Sequence, residues 1–157
     1  MSDEVIGIVS ASTGRRVLGI SSLTLLGFLL IYVSFTQPPA ILGQVFLLAT
    51  GSASLWIADK MRRATATVIE LTASELRDSS GELICTLDDI ESIDRGFFAF
   101  KPSNGFLLRL KKRSNRSWRP GLWWRSGRSV GIGGMTPGHQ TKFVSEIISV
   151  TIAQRDV

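Results

Sequence analysis

The chain has 157 residues, a formal charge of +5, and only one cysteine and one histidine. A single cysteine excludes an internal disulfide and a cysteine-based zinc site. About 40 residues form an uncharged apolar stretch, which leaves roughly 95 after it, enough for one small soluble domain and too few for two.

The N-terminal segment, residues 1–16, ends in Arg15-Arg16, and residues 17–58 then carry no charge. A bilayer core about 30 Å thick needs roughly 20 apolar helical residues. Residues 17–35 and 40–58 each meet that length, and Gln37-Pro38-Pro39 between them stops the first helix and frees the second to start. The sequence therefore predicts a transmembrane helical hairpin, with Ser12 or Thr13 capping the first helix and Trp56 at headgroup level near the end of the second. The flanking cations Arg15, Arg16, Lys60, Arg62 and Arg63 all lie at one end of the hairpin, so the positive-inside bias predicts cytoplasmic N- and C-termini in a multi-pass protein of the inner membrane. A twin-arginine export signal is the competing reading of Arg15-Arg16, but no small-x-small cleavage site follows and a second full span comes at once. A buried hairpin of a soluble protein fits two runs of spanning length less well. Small residues pack helices in lipid, which makes Gly19, Gly27, Gly43, Gly51 and Ser54 the expected seam between the spans, or a docking face for another membrane protein.

Residues 60–157 form the expected cytoplasmic domain. Alternation and turn signals predict short antiparallel strands at 67–71, 74–77, 82–87, 90–95, 97–100, 106–111 and 128–132. Asp78-Ser79-Ser80-Gly81 is a hairpin turn. Leu83, Cys85 and Leu87 are expected on one face, as are Phe106, Leu108 and Leu110. Residues 112–127, rich in Arg, Trp, Gly and Pro, are expected to be a loop. Thr136 is placed as N-cap with Pro137 at the first helical position of a closing amphipathic helix, whose buried face is Phe143, Val144, Ile147, Ile148, Thr151 and Ile152.

Charge divides this domain. Residues 70–94 hold eight acids against Arg77 alone, whereas residues 101–128 hold nine bases and no acid. Cys85 reads as a buried thiol and His139 as a surface or capping residue.

A strand meander closed by one C-terminal helix predicts an α+β membrane protein: a two-helix hairpin, then a small antiparallel barrel or sheet. Residues 65–153 resemble small bacterial membrane proteins with a helical hairpin and a pleckstrin-homology-like (PH-like) domain. The resemblance rests on Val68-Ile69-Glu70-Leu71-Thr72-Ala73-Ser74-Glu75-Leu76-Arg77, on Leu87-Asp88-Asp89-Ile90-Glu91-Ser92-Ile93 and on Gly131-Ile132-Gly133-Gly134. It implies a fold and a membrane location and brings no catalytic residue.

The expected functional surface is Lys111, Lys112, Arg113, Arg116, Trp118, Arg119, Trp123, Trp124, Arg125 and Arg128. Cations with indoles suit an anionic membrane surface. The same residues suit a contact with a partner membrane protein, and a third reading has some of the indoles simply filling the core. Nucleic acid fits an anchored, half-acidic domain poorly. No nucleophile is paired with a base, no metal-ligand cluster occurs, and Gly131, Gly133 and Gly134 do not complete a phosphate-binding fingerprint, so the expectation is a non-enzyme without cofactor or metal. The alternative function is an accessory or assembly subunit of a larger bioenergetic or transport complex, with the hairpin as its main contact.

Overall fold

The computed structural model describes residues 4–96 and 101–157. The strand expected at 97–100 lies outside the described residues.

The first strand precedes the apolar hairpin. β1 (Gly7–Ser10) pairs antiparallel with β2 (Val68–Leu71), Ser10 lying opposite Val68. Everything between them, α1 (Thr13–Thr36) and α2 (Ile41–Ala64), is an insertion between two neighbouring strands. The N-terminal segment thus contributes to the sheet, which its four-residue length hides from sequence periodicity. Val9 is fully buried in the core while Ile8 faces outward.

α1 and α2 are both long and apolar enough to cross a membrane, and most of their surface is exposed in the isolated chain. α2 runs past Ala58 to Ala64, taking Lys60, Arg62 and Arg63 into its last two turns, where cations meet the negative end of the helix dipole. Ser12 stands at the N-cap of α1 without a side-chain capping bond. The helices approach most closely at Gly27 and Gly51. A Cβ on Gly27 would lie 2.9 Å from the Gly51 carbonyl oxygen, and a Cβ on Gly51 would lie 3.0 Å from that of Gly27. Only glycine permits that approach. Ser54 is buried one turn further and donates to the Thr50 carbonyl. Gly19 instead receives the Met135 side chain, with Met61 behind it, and Gly43 meets only Pro39.

β2, β3 (Glu75–Asp78) and β4 (Leu83–Thr86) complete a sheet of order β1-β2-β3-β4. Its register slips between Leu76 and Arg77, so Leu76 faces Cys85 while Arg77 faces Leu83. The slip breaks the alternation expected of β4: Ile84 is buried beside Cys85, and Leu83 is 44% exposed. A short 3₁₀ turn, Leu87–Asp89, leads into the second sheet, β5 (Ile90–Asp94), β6 (Phe106–Arg119) and β7 (Trp123–Ile132), of order β5-β6-β7. Among the described residues the two sheets remain separate, so of the expected barrel or sheet the closed barrel is not formed; the α+β class and the order of hairpin, sheet domain and C-terminal helix stand.

The expected loop at 112–127 is mostly strand. β6 and β7 are one long hairpin turning at Pro120, Gly121 and Leu122. Serine, asparagine and arginine interrupt its apolar alternation, which hid it, and bulges bend it. β6 advances five residues from Arg109 to Ser114 while β7 advances two from Ser129 to Gly127. The Leu122 carbonyl accepts from Gly133 N–H at 2.9 Å and the Gly121 carbonyl from Met135 N–H at 2.9 Å. The hairpin is therefore doubled back, its tip closing on its own base.

α3 (Gly138–Arg155) begins after Pro137, which occupies the N-cap position. Thr136 is buried instead, its hydroxyl 3.4 Å from the Asn104 carbonyl. α3 buries Val144 and Ile148 with Thr141 and Ser145, and Ile147 and Ile152 pack partly buried against the same core, as expected; of the expected face Phe143 is exposed, and Thr141 and Ser145 extend the buried side. Burying Val144 and Ile148 stabilises the packing by about 1.5–3 kcal/mol each. At its C-terminal end, Arg155 donates to the carbonyls of Leu87, Asp88 and Ile90 at 3.1, 3.3 and 2.9 Å.

Candidate functional site

The doubled β6–β7 hairpin carries all ten residues expected to form the binding surface, and its bends sort them into inward and outward groups. Trp123 is 1% exposed, its indole N–H donating to Asp78 Oδ2 at 3.1 Å. Asp78 is buried as well. Burial pushes its carboxyl up, but donors from Ser80 N–H, the Trp123 indole and the Thr67 hydroxyl outweigh that and hold it below the usual carboxylate range. This pair locks the hairpin tip onto the first sheet.

Arg125 also turns inward. Its guanidinium donates to the carbonyls of Leu83 at 2.7 Å, Ile84 at 2.8 Å and Asn115 at 2.7 Å, closing part of the free edge of β4. Arg119 pairs with Glu82 at 2.8 Å. Burial lifts the Glu82 carboxyl, but hydrogen bonds from Arg119 and Ser117 and the charge of Arg125 hold it low. Arg128 donates to the Leu110 carbonyl at 2.8 Å and to Glu91 at 2.6 Å, and Lys111 donates to the Asp88 carbonyl at 2.7 Å. Here the acidic half of the domain meets the basic half. Three of the nine bases, Arg119, Arg125 and Arg128, thus answer two of the eight acids, Glu82 and Glu91.

Lys112, Arg113 and Arg116 are exposed and make no hydrogen bond or ion pair among the described residues. Trp124 is half-buried against Gly131. Trp118 is 43% exposed and reaches α2, its ring centroid 6.3 Å from that of Trp56. Lys60 Nζ lies 5.0 Å from the centre of the Trp56 ring and 4.7 Å from that of Trp118, a cation held between two indoles. The nearby cations Arg62 and Arg63 are tied to Asp59 at 2.8 and 2.5 Å.

Two depressions open on the outer face of the hairpin. One, of about 450 Å³, is lined by Arg113, Ser114, Arg116, Ser126, Gly127 and Arg128. The other, of about 420 Å³, is lined by Arg116, Ser117, Trp118, Trp124, Arg125 and Ser126. They share Arg116 and Ser126.

Comparison with protein-family models, with curated proteins and with solved structures gives no match in any of the three. The site is accordingly interpreted from its geometry. It offers a concave cationic and aromatic face suited to an anionic group. Cys85 is buried, its thiol pushed up to about 12 by burial, against a small opposing pull from Arg125, which leaves it inert at neutral pH. His139 is exposed. Among the described residues no three His, Cys, Asp or Glu side chains converge as a metal site. Sequence reasoning missed Lys60 as a partner of Trp118, since only the doubling of the hairpin brings positions so far apart together.

Proposed function

We propose that the protein is a non-enzymatic, membrane-anchored interaction module. Its two apolar helices cross the cytoplasmic (inner) membrane, both termini lie on the cytoplasmic side, and a PH-like domain rests its β6–β7 hairpin against the anionic membrane surface. The observation that carries this reading is Lys60 seated between Trp56 of α2 and Trp118 of β6. Lysine and tryptophan favour the headgroup zone, and Trp118 brings the hairpin to the depth at which α2 would leave the bilayer.

Other features support the finer parts. Arg15, Arg16, Lys60, Arg62 and Arg63 crowd the end of the helical hairpin next to the domain, whereas its turn at 37–40 is uncharged. Four strands, then three, then a C-terminal helix accord with a PH-like order. The buried thiol and the buried carboxylate of the domain both serve its core. Full-length protein in nanodiscs provides the test: hydrogen exchange of β6–β7 amides is expected to slow when anionic lipid replaces part of a neutral bilayer. Equal exchange in both bilayers would overturn the surface contact. A cysteine at Gln37 should label from outside intact cells and one at Ser126 only after lysis; the reverse pattern overturns the orientation.

The second reading, an accessory subunit gripped by its hairpin, draws on the exposed stripe of Phe28, Tyr32 and Phe35 on α1. Stoichiometric membrane partners retained in mild detergent, and lost on changing that stripe to leucine, would favour it.

A further inference from the structure

On a regular strand Arg113 and Arg116, three residues apart, point to opposite faces. Between Ser114 and Ser117, however, β6 advances three residues while β7 advances two, from Gly127 to Arg125. That one-residue slip turns both arginines toward one depression, which they share with Arg128. Arg116 and Ser126 continue into the second depression, where Trp118 and Trp124 stand directly opposite each other in the strand register. The result is a single groove, cationic at one end and aromatic at the other.

We infer that this groove binds the phosphate-bearing headgroup of an anionic phospholipid, the phosphate at Arg113 and Arg116 and the glycerol region along Trp118 and Trp124. The inference rests on the membrane reading above and adds to it a defined site and ligand class. Three arginines converge while only Arg128 has a carboxylate partner among the described residues, so the groove is complementary to an anion. A guanidinium fork suits phosphate oxygens better than an ammonium does. The aromatic end favours a lipid over a soluble phosphate, because Trp118 packs on Trp56 of an apolar helix of spanning length. The lipids that surround α2 are thereby within reach of the groove.

The test uses the full chain in nanodiscs of phosphatidylcholine with a minority of phosphatidic acid, counting retained anionic lipid by native mass spectrometry after gentle release. The double variant Arg113→Gln, Arg116→Gln is expected to lower phosphatidic acid retention about tenfold or more, and the pair Lys101→Gln, Lys142→Gln, which removes the same charge elsewhere, less than about twofold. The arginine variant should keep the wild-type melting temperature, since neither arginine side chain has a described partner, and the lysine pair should stay close to it, since Lys101 and Lys142 make only exposed contacts, with the Arg95 carbonyl and Glu146. Equal loss in the two pairs would overturn the groove while leaving a general anionic surface contact intact. No preference of the wild type for anionic lipid would remove the surface contact and the groove with it. Displacement of the lipid by millimolar inorganic phosphate would overturn the assignment to a lipid in favour of a soluble anion.

Discussion

The indole N–H of Trp123 donates to Asp78 Oδ2 across 3.1 Å, joining two residues that are both out of contact with solvent. An asparagine at 78 keeps the volume but turns an amide nitrogen toward donors or surrenders the charge they were arranged to meet. Asp78→Asn is expected to destabilise the domain by about 2–3 kcal/mol, more than an ordinary hydrogen bond. Trp123→Phe should cost less at this carboxylate because Ser80 and Thr67 remain. Denaturant melts followed by near-UV circular dichroism measure both.

The same carboxylate makes stability depend on acid. Its folded pKa lies below the ordinary value, so its contribution is complete above the unfolded pKa of about 3.9 and is lost as pH falls through the folded value. The difference in melting temperature between wild type and Asp78→Asn should stay constant from pH 7 to 5 and shrink below about pH 4. A gap that widens on acidification would contradict the sign.

Arg125 and Arg116 stand close in the hairpin and should behave in opposite ways. Arg125→Lys replaces a fork reaching three carbonyls by one ammonium, and a loss of about 1–3 kcal/mol is expected from the orphaned acceptors. Arg116→Gln should stay within about 0.5 kcal/mol of wild type. Thermal melts in detergent separate the two.

Glycine-to-alanine changes in the helical hairpin test the close approach of α1 and α2. At Gly27 and Gly51 a methyl group meets a facing carbonyl or side chain inside 3.0 Å or at that distance, and a loss of about 1–3 kcal/mol is expected. At Gly14 nothing lies within 4 Å, so the same change should be neutral or mildly stabilising through helix propensity. Helix-pair stability by unfolding in mixed detergent is the measurement.

The insertion of the helices between β1 and β2 makes a soluble domain obtainable in one way and not another. Ser10 faces Val68, so joining them through a two-residue Asn-Gly turn in place of residues 11–67 should give a folded monomer with dispersed amide resonances. A chain starting at Lys60 lacks β1 and Val9, leaving a bare strand edge over an open core, and should aggregate.

The two long apolar helices, the short strands and the C-terminal helix are legible because each rests on a local pattern: uncharged length, alternation between turn residues, or helical spacing. Phe106, Leu108 and Leu110 are buried as their alternation requires. What escaped are features set by partners distant in sequence. β1 is too short to show a period, β6 loses its alternation at two bulges, and the slip opposite Arg77 exchanges Leu83 for Ile84 in the core. The candidate site was legible as a composition of arginine and tryptophan. Its division was not, because whether Arg125 or Arg116 faces inward depends on register, and a shift of one residue reverses every side chain.

The placement of both helices between paired strands also constrains how the chain is made. β1 leaves the ribosome before the helices and cannot find β2 until both have been synthesised. On the two-span topology proposed above, two crossings would return the chain to the side where it began, so the strands could meet. A single crossing would strand them on opposite sides of the bilayer, with the first sheet unable to form. If the hairpin is the anchor proposed above, assembly of the domain is a built-in check on its topology, and a misinserted chain would display an unpaired β2 edge.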